Sequence, residues 1–215
     1  MEKAQHAALN RKKWDLRAET FDDRRFDYFR FIQRILVSQL NLKENQTLLD
    51  LGCGTGWALG YASSLVNGHG EFYGIDISAK MIEKATANYS NCTNIHFFQT
   101  DAEELPFKDG FFDFVICSNS FHHYFNPDRA LTEVHRVLKL KGRIYISELT
   151  SDGLIAKIIN NQARKRELEH VNYYNTREYK TLFTRAKLNY IASKHTSVLF
   201  YLSPWKIHVG EKTVI

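Results

Sequence analysis

The run Leu48-Leu49-Asp50-Leu51-Gly52-Cys53-Gly54-Thr55-Gly56-Trp57 constrains this chain more than any other stretch. Residues 47–51 read as a buried strand that runs straight into a turn carrying Gly52, Gly54 and Gly56, with a helix expected from about Trp57. Glycine tolerates positive φ and has no Cβ, so a ligand can lie against the main chain there. The start of the following helix adds N–H groups that have no intrahelical partner. Strand, glycine turn and helix in that order predict a nucleotide-like or carboxylate-bearing ligand at the turn.

The spacing narrows the ligand. The dinucleotide fingerprint is G-x-G-x-x-G, whose third glycine lets helix and strand pack closely. Here the run is G-x-G-x-G, and Trp57 stands where that third glycine would be. A tryptophan obstructs the close approach that a pyrophosphate needs. Asp50, two residues before Gly52, would repel a pyrophosphate and suits a cationic ligand. Both departures point away from a nicotinamide dinucleotide and toward a nucleoside carrying positive charge.

The chain then alternates between helix and strand. Residues 58–65 read as helix and residues 71–77 as a short strand with Asp76 near its C-terminal end. Open α/β sheets place an acid about 20 residues past the glycine loop to hold ribose hydroxyls, and a carboxylate can accept from both. A helix N-cap is the other reading of Asp76, but Ser78 can cap the helix expected over residues 79–88. Residues 94–99 read as a third strand, followed by Asp101 and Ala102. Residues 111–118 form a nearly continuous apolar run, the pattern of a strand buried on both faces. The loop Ser118-Asn119-Ser120-Phe121-His122-His123-Tyr124 follows, and ligands of open α/β sheets bind beyond such strand ends. A helix over residues 128–138, a turn at Lys141-Gly142 and a fifth strand over residues 143–149, with Glu148 at its end, complete this part.

The run Asp50-Leu51-Gly52-Cys53-Gly54-Thr55-Gly56 resembles motif I of the class I S-adenosylmethionine-dependent methyltransferases. Gly74-Ile75-Asp76-Ile77-Ser78, Thr100-Asp101-Ala102-Glu103-Glu104-Leu105-Pro106-Phe107 and Phe112-Asp113-Phe114-Val115-Ile116-Cys117-Ser118 resemble later stretches of the same family in the same order. The likeness spans roughly residues 47–149 and is nearest to the broad group that includes ubiquinone and menaquinone biosynthesis methyltransferases. It implies a Rossmann-like α/β sandwich, with a mostly parallel seven-stranded sheet, an antiparallel last strand and helices on both faces. It also implies S-adenosyl-L-methionine as cofactor and S-adenosyl-L-homocysteine as product. Carried onto the matching positions, it implies that Gly52, Cys53, Gly54 and Gly56 admit the methionine part and that Asp50 supports its ammonium, directly or through water. Asp76 would hold the ribose, Asp101 and Ala102 the adenine, and Ser118 would offer a carbonyl near the amine. Ile77 and Met81 would pack on the adenine faces, with plain core packing as the other reading of Met81.

The acceptor side is less defined. Histidine can take a proton from an oxygen or nitrogen near neutral pH. Adjacent side chains usually point apart, so at most one of His122 and His123 is expected to face the cofactor. His123 or Tyr124 is the candidate for an acceptor-side role, with loop structure as the alternative. No Asp, Glu or Cys stands close by in the sequence to complete a ligand set, so no metal is expected. Ser118-Asn119-Ser120-Phe121 does not match the Asp/Asn-Pro-Pro-aromatic tetrapeptide of nucleic-acid amino methyltransferases, so the expected acceptor is a small molecule.

One domain is expected over residues 1–215: a helical cap or flap over 1–40, the cofactor-binding core over 41–149, and a helical insert with closing strands over 150–215. Residues 1–25 read as a short helix and a loop, either loosely tied or folded over the cofactor with Trp14 and Phe21 as anchors. Residues 26–40 have helical apolar spacing. Beyond residue 150, helices are expected over 154–170 and from a Thr176 cap to about 188, then strands over 191–201 and 206–209. Net charge is +5 with a pI near 9.0. The basic runs Arg11-Lys12-Lys13 and Arg164-Lys165-Arg166 are short and lie in helical segments, which favours solvated faces over a nucleic-acid footprint. Three cysteines without metal-type spacing suggest free thiols and a cytoplasmic, reducing compartment. No apolar run approaches the about 18–20 residues of a membrane span, and the N-terminus lacks the apolar core of a secretory signal.

Overall fold

The computed structural model describes residues 2–22, 27–152, 154–166, 171–195 and 205–214. Helices α1 (Lys3–Ala18) and α2 (Asp27–Ser38) precede an alternation of strands and helices. This runs β1 (Gln46–Leu51), α3 (Trp57–Leu65), β2 (Gly70–Asp76), α4 (Ala79–Asn88), β3 (Ile95–Gln99), β4 (Phe112–Ser118), α5 (Pro127–Val137) and β5 (Leu138–Leu149). Helices α6 (Leu154–Arg166) and α7 (Thr176–Arg185) and strands β6 (Leu188–His195) and β7 (Trp205–Lys212) follow.

The seven strands form one sheet in the order β3-β2-β1-β4-β5-β7-β6. Strands β1 to β5 pair in parallel, and β7 runs antiparallel between β5 and β6. This is the sheet the resemblance implied. Side chains alternate across it. Leu48, Phe72 and Ile116 face one core, with Leu36 and Val37 of α2 and Ala58, Leu59 and Ala62 of α3. Leu49, Leu51, Val115 and Cys117 face the other, with Leu131 and Val134 of α5 and Leu182 and Phe183 of α7. Each fully buried Leu or Phe contributes about 1.5–3 kcal/mol relative to exposure, so the two apolar layers fix the strand order. That order reverses between β1 and β4, and the crevice of an open α/β sheet forms at such a switch point.

Several boundaries differ from the sequence reading. Strand β5 begins at Leu138, not at 143. Lys141 takes a left-handed φ of 65° inside it, and the partners pass from Phe112↔Leu138 to Phe114↔Arg143. The expected turn is therefore a bulge within a strand. Helix α1 is sixteen residues long, not short. Helix α7 is capped by Asn175, whose side chain accepts from Glu178 N while the Glu178 carboxylate accepts from Asn175 N. Thr176 is the first helical residue and donates its hydroxyl to Asp152 Oδ2 at 2.6 Å. Leu188, expected at the end of that helix, opens β6 instead. The expected helix start at residue 26, helix end at 167–170 and strand stretch at 196–201 lie outside the described residues. No described helix is long and apolar enough to cross a membrane.

Candidate functional site

The glycine turn is held mainly by main chain. Gly52 N and Cys53 N both donate to Ile75 O, at 2.8 and 2.9 Å, which ties the end of β1 to the end of β2. Gly54 N donates to Asp76 Oδ2 at 3.0 Å and Ser78 N donates to Asp76 Oδ1 at 2.9 Å. Asp76 thus links the turn to the start of α4, and each of its oxygens keeps capacity for a further donor. Ser78 caps α4 by accepting from Met81 N at 3.1 Å. Gly54 has a φ of +53°, and a Cβ there would lie 3.1 Å from the Phe21 ring. Gly56 has a φ of +84°, and a Cβ there would lie 2.6 Å from the Phe97 ring. Trp57, the first residue of α3, stacks on Tyr61 with ring centroids 5.5 Å apart.

A cavity of about 150 Å³ lies beside this turn. Gly52, Cys53 and Gly54 form one wall, Asp76, Ile77 and Met81 a second, Asp101 and Ala102 a third, and Ser118, His123 and Tyr124 a fourth. Of the residues the sequence pointed to, only Asp50 and Gly56 do not line it. Gly56 sits at the N-cap of α3. Asp50 is 1% exposed, and neither carboxylate oxygen has a hydrogen-bond partner among the described residues. Burial, then the nearby charge of Asp76, push its carboxyl up to about 8. Burial pushes Asp76 up to about 6, opposed by the N–H groups of Ser78 and Gly54.

Helix α1 roofs the cavity. Lys3, Asn10, Trp14 and Arg17 line it from above. Lys3 Nζ lies 2.7 Å from Glu103 Oε2 and 3.4 Å from Asp101 Oδ2. Asn10 Nδ2 donates to His123 O at 3.2 Å. Asp15 Oδ1 accepts from Ser78 Oγ at 2.6 Å and from Lys80 N at 3.2 Å. Just past the helix, Thr55 Oγ1 donates to Asp22 Oδ1 at 2.7 Å. Trp14 stands edge-on to both Phe21 and His123, at 6.1 and 5.4 Å between centroids.

The loop after β4 forms one 3₁₀ turn over Phe121–His123. His123 and Tyr124 both face the cavity, whereas His122 does not line it. The Tyr124 hydroxyl meets Ser120 Oγ at 3.1 Å and Cys117 Sγ at 3.5 Å, and burial pushes it well above the usual tyrosine range. His122 Nδ1 lies 2.9 Å from Glu148 Oε2, and Phe121 N donates to Glu148 Oε1 at 2.8 Å. The sequence reading found no acid near the histidine pair, yet the sheet brings Glu148, fully buried, beside His122. No local signal announces that meeting, because β4 and β5 become neighbours only in the folded sheet. Glu103 was missed for the same reason. The roof was partly readable: positions 3, 10, 14 and 17 recur at helical spacing and share one face.

These groups fit a nucleoside with an ammonium-bearing tail. Asp76 has spare acceptors for a diol, the glycine wall admits a close main-chain approach, and Asp50, behind that wall and without a hydrogen-bond partner among the described residues, can lose its proton to answer a cation. The comparisons with known proteins agree. A family model described as "Methyltransferase domain" matches residues 42–192. The chain is 29% identical over 195 residues to the malonyl-[acyl-carrier protein] O-methyltransferase of Marinomonas sp. (strain MWYL1), covering 90% of this chain and 71% of that protein. It is 34% identical over 128 residues to the ubiquinone/menaquinone biosynthesis C-methyltransferase UbiE of Wigglesworthia glossinidia brevipalpis, covering 58% of this chain and 51% of that protein. The chain therefore spans about half to seven-tenths of the length of these curated relatives.

Among solved structures, the complex between the Haloferax volcanii Trm112 methyltransferase activator and a methyltransferase contains a chain with a TM-score of 0.83 at 21% identity, covering 94% of this chain and 98% of that one. The Burkholderia thailandensis 1,6-didemethyltoxoflavin-N1-methyltransferase, solved with 1,6-didemethyltoxoflavin and S-adenosylhomocysteine, has a TM-score of 0.75 at 18% identity, covering 100% and 92%. The chain belongs to the class I S-adenosylmethionine-dependent methyltransferase family. Enzymes of this family use S-adenosyl-L-methionine as cofactor.

Proposed function

We propose that the chain methylates a small-molecule acceptor, with Asp50, Gly52, Cys53, Gly54, Gly56, Asp76, Ile77, Met81, Asp101, Ala102 and Ser118 serving the cofactor and His123 the acceptor. The observation that carries this reading is the roof: α1 lies over the cavity and is tied to three of its walls, through Glu103, Ser78 and His123. A covered cavity of this size suits a small acceptor better than an RNA or a folded protein. The names of the Wigglesworthia and Burkholderia enzymes support the same class.

The sulfonium of the bound cofactor supplies an already activated methyl group. What is left to the chain is alignment and exclusion of water. Asp76 accepts from the ribose hydroxyls while keeping Gly54 and Ser78 in place. Asp50, ionised once an ammonium lies against it, neutralises the amine end, and the Ser118 carbonyl assists. Asp101 and the Ala102 N–H read the adenine, with Ile77 and Met81 as its packing surface. Trp14, Phe21 and α1 exclude water. His123 takes the acceptor proton. Tyr124, whose hydroxyl stays protonated, positions the acceptor instead of acting as a base.

The test is S-adenosylhomocysteine formation across a panel of small phenols, carboxylates, amines and heterocycles, beside total RNA and protein carrying a labelled methyl group. Turnover on a small molecule that falls at least tenfold in His123→Ala is expected. Label entering only RNA or protein would overturn the acceptor class. Tight cofactor binding without turnover on any of them would favour a non-catalytic binding module.

A further inference from the structure

We propose that Arg17 of α1 takes the α-carboxylate of S-adenosylmethionine, so that the roof helix is held down by the amino-acid part of the cofactor itself. The inference rests on the cofactor site proposed above and adds a contact that none of its residues supplies.

The argument is one of charge. The cofactor brings an ammonium, a sulfonium and a carboxylate. Burying a carboxylate without a counter-charge is costly. Among the described residues, the cavity is lined by the acids Asp76, Asp101 and Glu103, with Asp50 beneath the turn. Acids answer the ammonium and the ribose but repel the carboxylate. Two permanent cations line the cavity among the described residues, Lys3 and Arg17. Lys3 is engaged at one end of the roof, 2.7 Å from Glu103 and 3.4 Å from Asp101.

Arg17 stands at the other end. Its guanidinium carbon lies 5.4 Å from the centroid of the Trp14 ring. Trp14 meets Phe21 edge-on at 6.1 Å, and Phe21 covers Gly54, with 3.1 Å between its ring and a Cβ built there. Arg17, Trp14, Phe21 and Gly54 thus line the same cavity, at the side where the proposed site puts the methionine part. No carboxylate of a described residue lies within ion-pair distance of it. Stacking on an indole leaves the guanidinium fork free to donate two parallel hydrogen bonds to one carboxylate. Arg17 and Trp14 are three positions apart on α1, and both line the cavity, Arg17 from its exposed rim.

The experiment compares S-adenosylmethionine with decarboxylated S-adenosylmethionine, which differ only in the carboxylate. Binding of each is measured by calorimetry to the wild type, Arg17→Gln and Arg17→Lys, with melting curves as a check on folding. The wild type is expected to bind the carboxylate form roughly 10–100-fold more tightly, the range of a hydrogen-bonded charge pair. Arg17→Gln erases most of that preference while binding the decarboxylated form within about twofold of wild type, and Arg17→Lys recovers part of it. A preference that survives in Arg17→Gln overturns the proposal. So does an equal loss for both ligands, which would mean that Arg17 only packs the roof. If the wild type binds neither nucleoside, the cofactor site itself is refuted along with the carboxylate contact. A preserved preference refutes the contact alone.

Discussion

The floor and the roof of the cavity are built by different means. The floor is mostly main chain: Gly52 and Cys53 N–H groups donate to Ile75 O, and the Asp76 carboxylate adds a side-chain tie to Gly54 N–H, all between the end of β1 and the end of β2. The roof and the acceptor wall are side chain: Lys3 to Glu103, Asn10 to His123 O, Asp15 to Ser78, and His122 to Glu148. Backbone contacts survive most side-chain changes, whereas each side-chain clamp is one substitution from loss. Under the proposed assignment, the cofactor end is fixed by the fold and the acceptor end is free to vary on the same frame.

The largest effect separating the two is expected from Glu148→Ala. It takes the buried Glu148 acceptor from Phe121 N and the Glu148 contact from His122, and each buried polar group left unsatisfied costs about 1–3 kcal/mol. A thermal melt should drop by many degrees, while S-adenosylhomocysteine affinity of the remaining folded protein stays within about threefold. A collapse of affinity matching the loss of stability would erase the distinction between floor and acceptor wall.

Gly56→Val attacks the floor. A left-handed φ of +84° on a β-branched residue costs about 1–3 kcal/mol, and the Phe97 ring must also shift. Cofactor affinity is expected to fall further than stability does, as read by calorimetry beside a melt. A destabilised protein with unchanged affinity would contradict the role given to this turn.

Asp50→Asn gives a smaller effect with a diagnostic sign. The Asp50 carboxyl is raised from 3.8 to about 8, so the free protein keeps a proton that the unfolded chain has already lost. Its contribution to stability is therefore present below about pH 4 and lost as pH rises toward 8. The variant removes that slope and should melt higher at pH 8. An ammonium beside Asp50 expels the proton, so wild-type affinity for S-adenosylhomocysteine should rise between pH 6 and 8 with proton release. In the variant, affinity should be roughly tenfold weaker and should no longer rise between about pH 7 and 8, above the range where Asp76 titrates. A pH-independent wild type would show that no cation meets Asp50.

The smallest effect is expected from Asp15→Ala, which removes one roof clamp to Ser78 and Lys80 N. It should cost about 1 kcal/mol and quicken cofactor release a few-fold in stopped-flow traces. Unchanged release would mean that α1 does not limit escape.

How much of this was readable follows the same division. The strands around the glycine turn and the Ser78 cap were legible, because apolar runs and turn residues are local signals, whereas the mostly parallel seven-stranded sheet came from the family resemblance. The start of β5 was not, since Lys141-Gly142 has turn chemistry and only pairing with β4 makes it a bulge. The Asn175 cap was available in the sequence, as Asn175 with Glu178 three residues on, but Thr176 was read as the cap instead. The Lys3–Glu103 and His122–Glu148 pairs had no such trace, because partners far apart in the chain leave no periodicity. That one histidine of the pair, His123, faces the cavity was expected because adjacent side chains point apart; the partner of the other was not.

The most direct test of the central claim is calorimetric titration of the wild type and of Asp76→Ala with S-adenosylhomocysteine. One site per chain is expected in the wild type. Losing the ribose contact and the tether of Gly54 and Ser78 together should weaken binding by roughly a hundredfold, the cost of two or more charge-assisted hydrogen bonds. Folded wild-type protein that does not bind, or an Asp76→Ala variant that binds as well as wild type, would contradict the account.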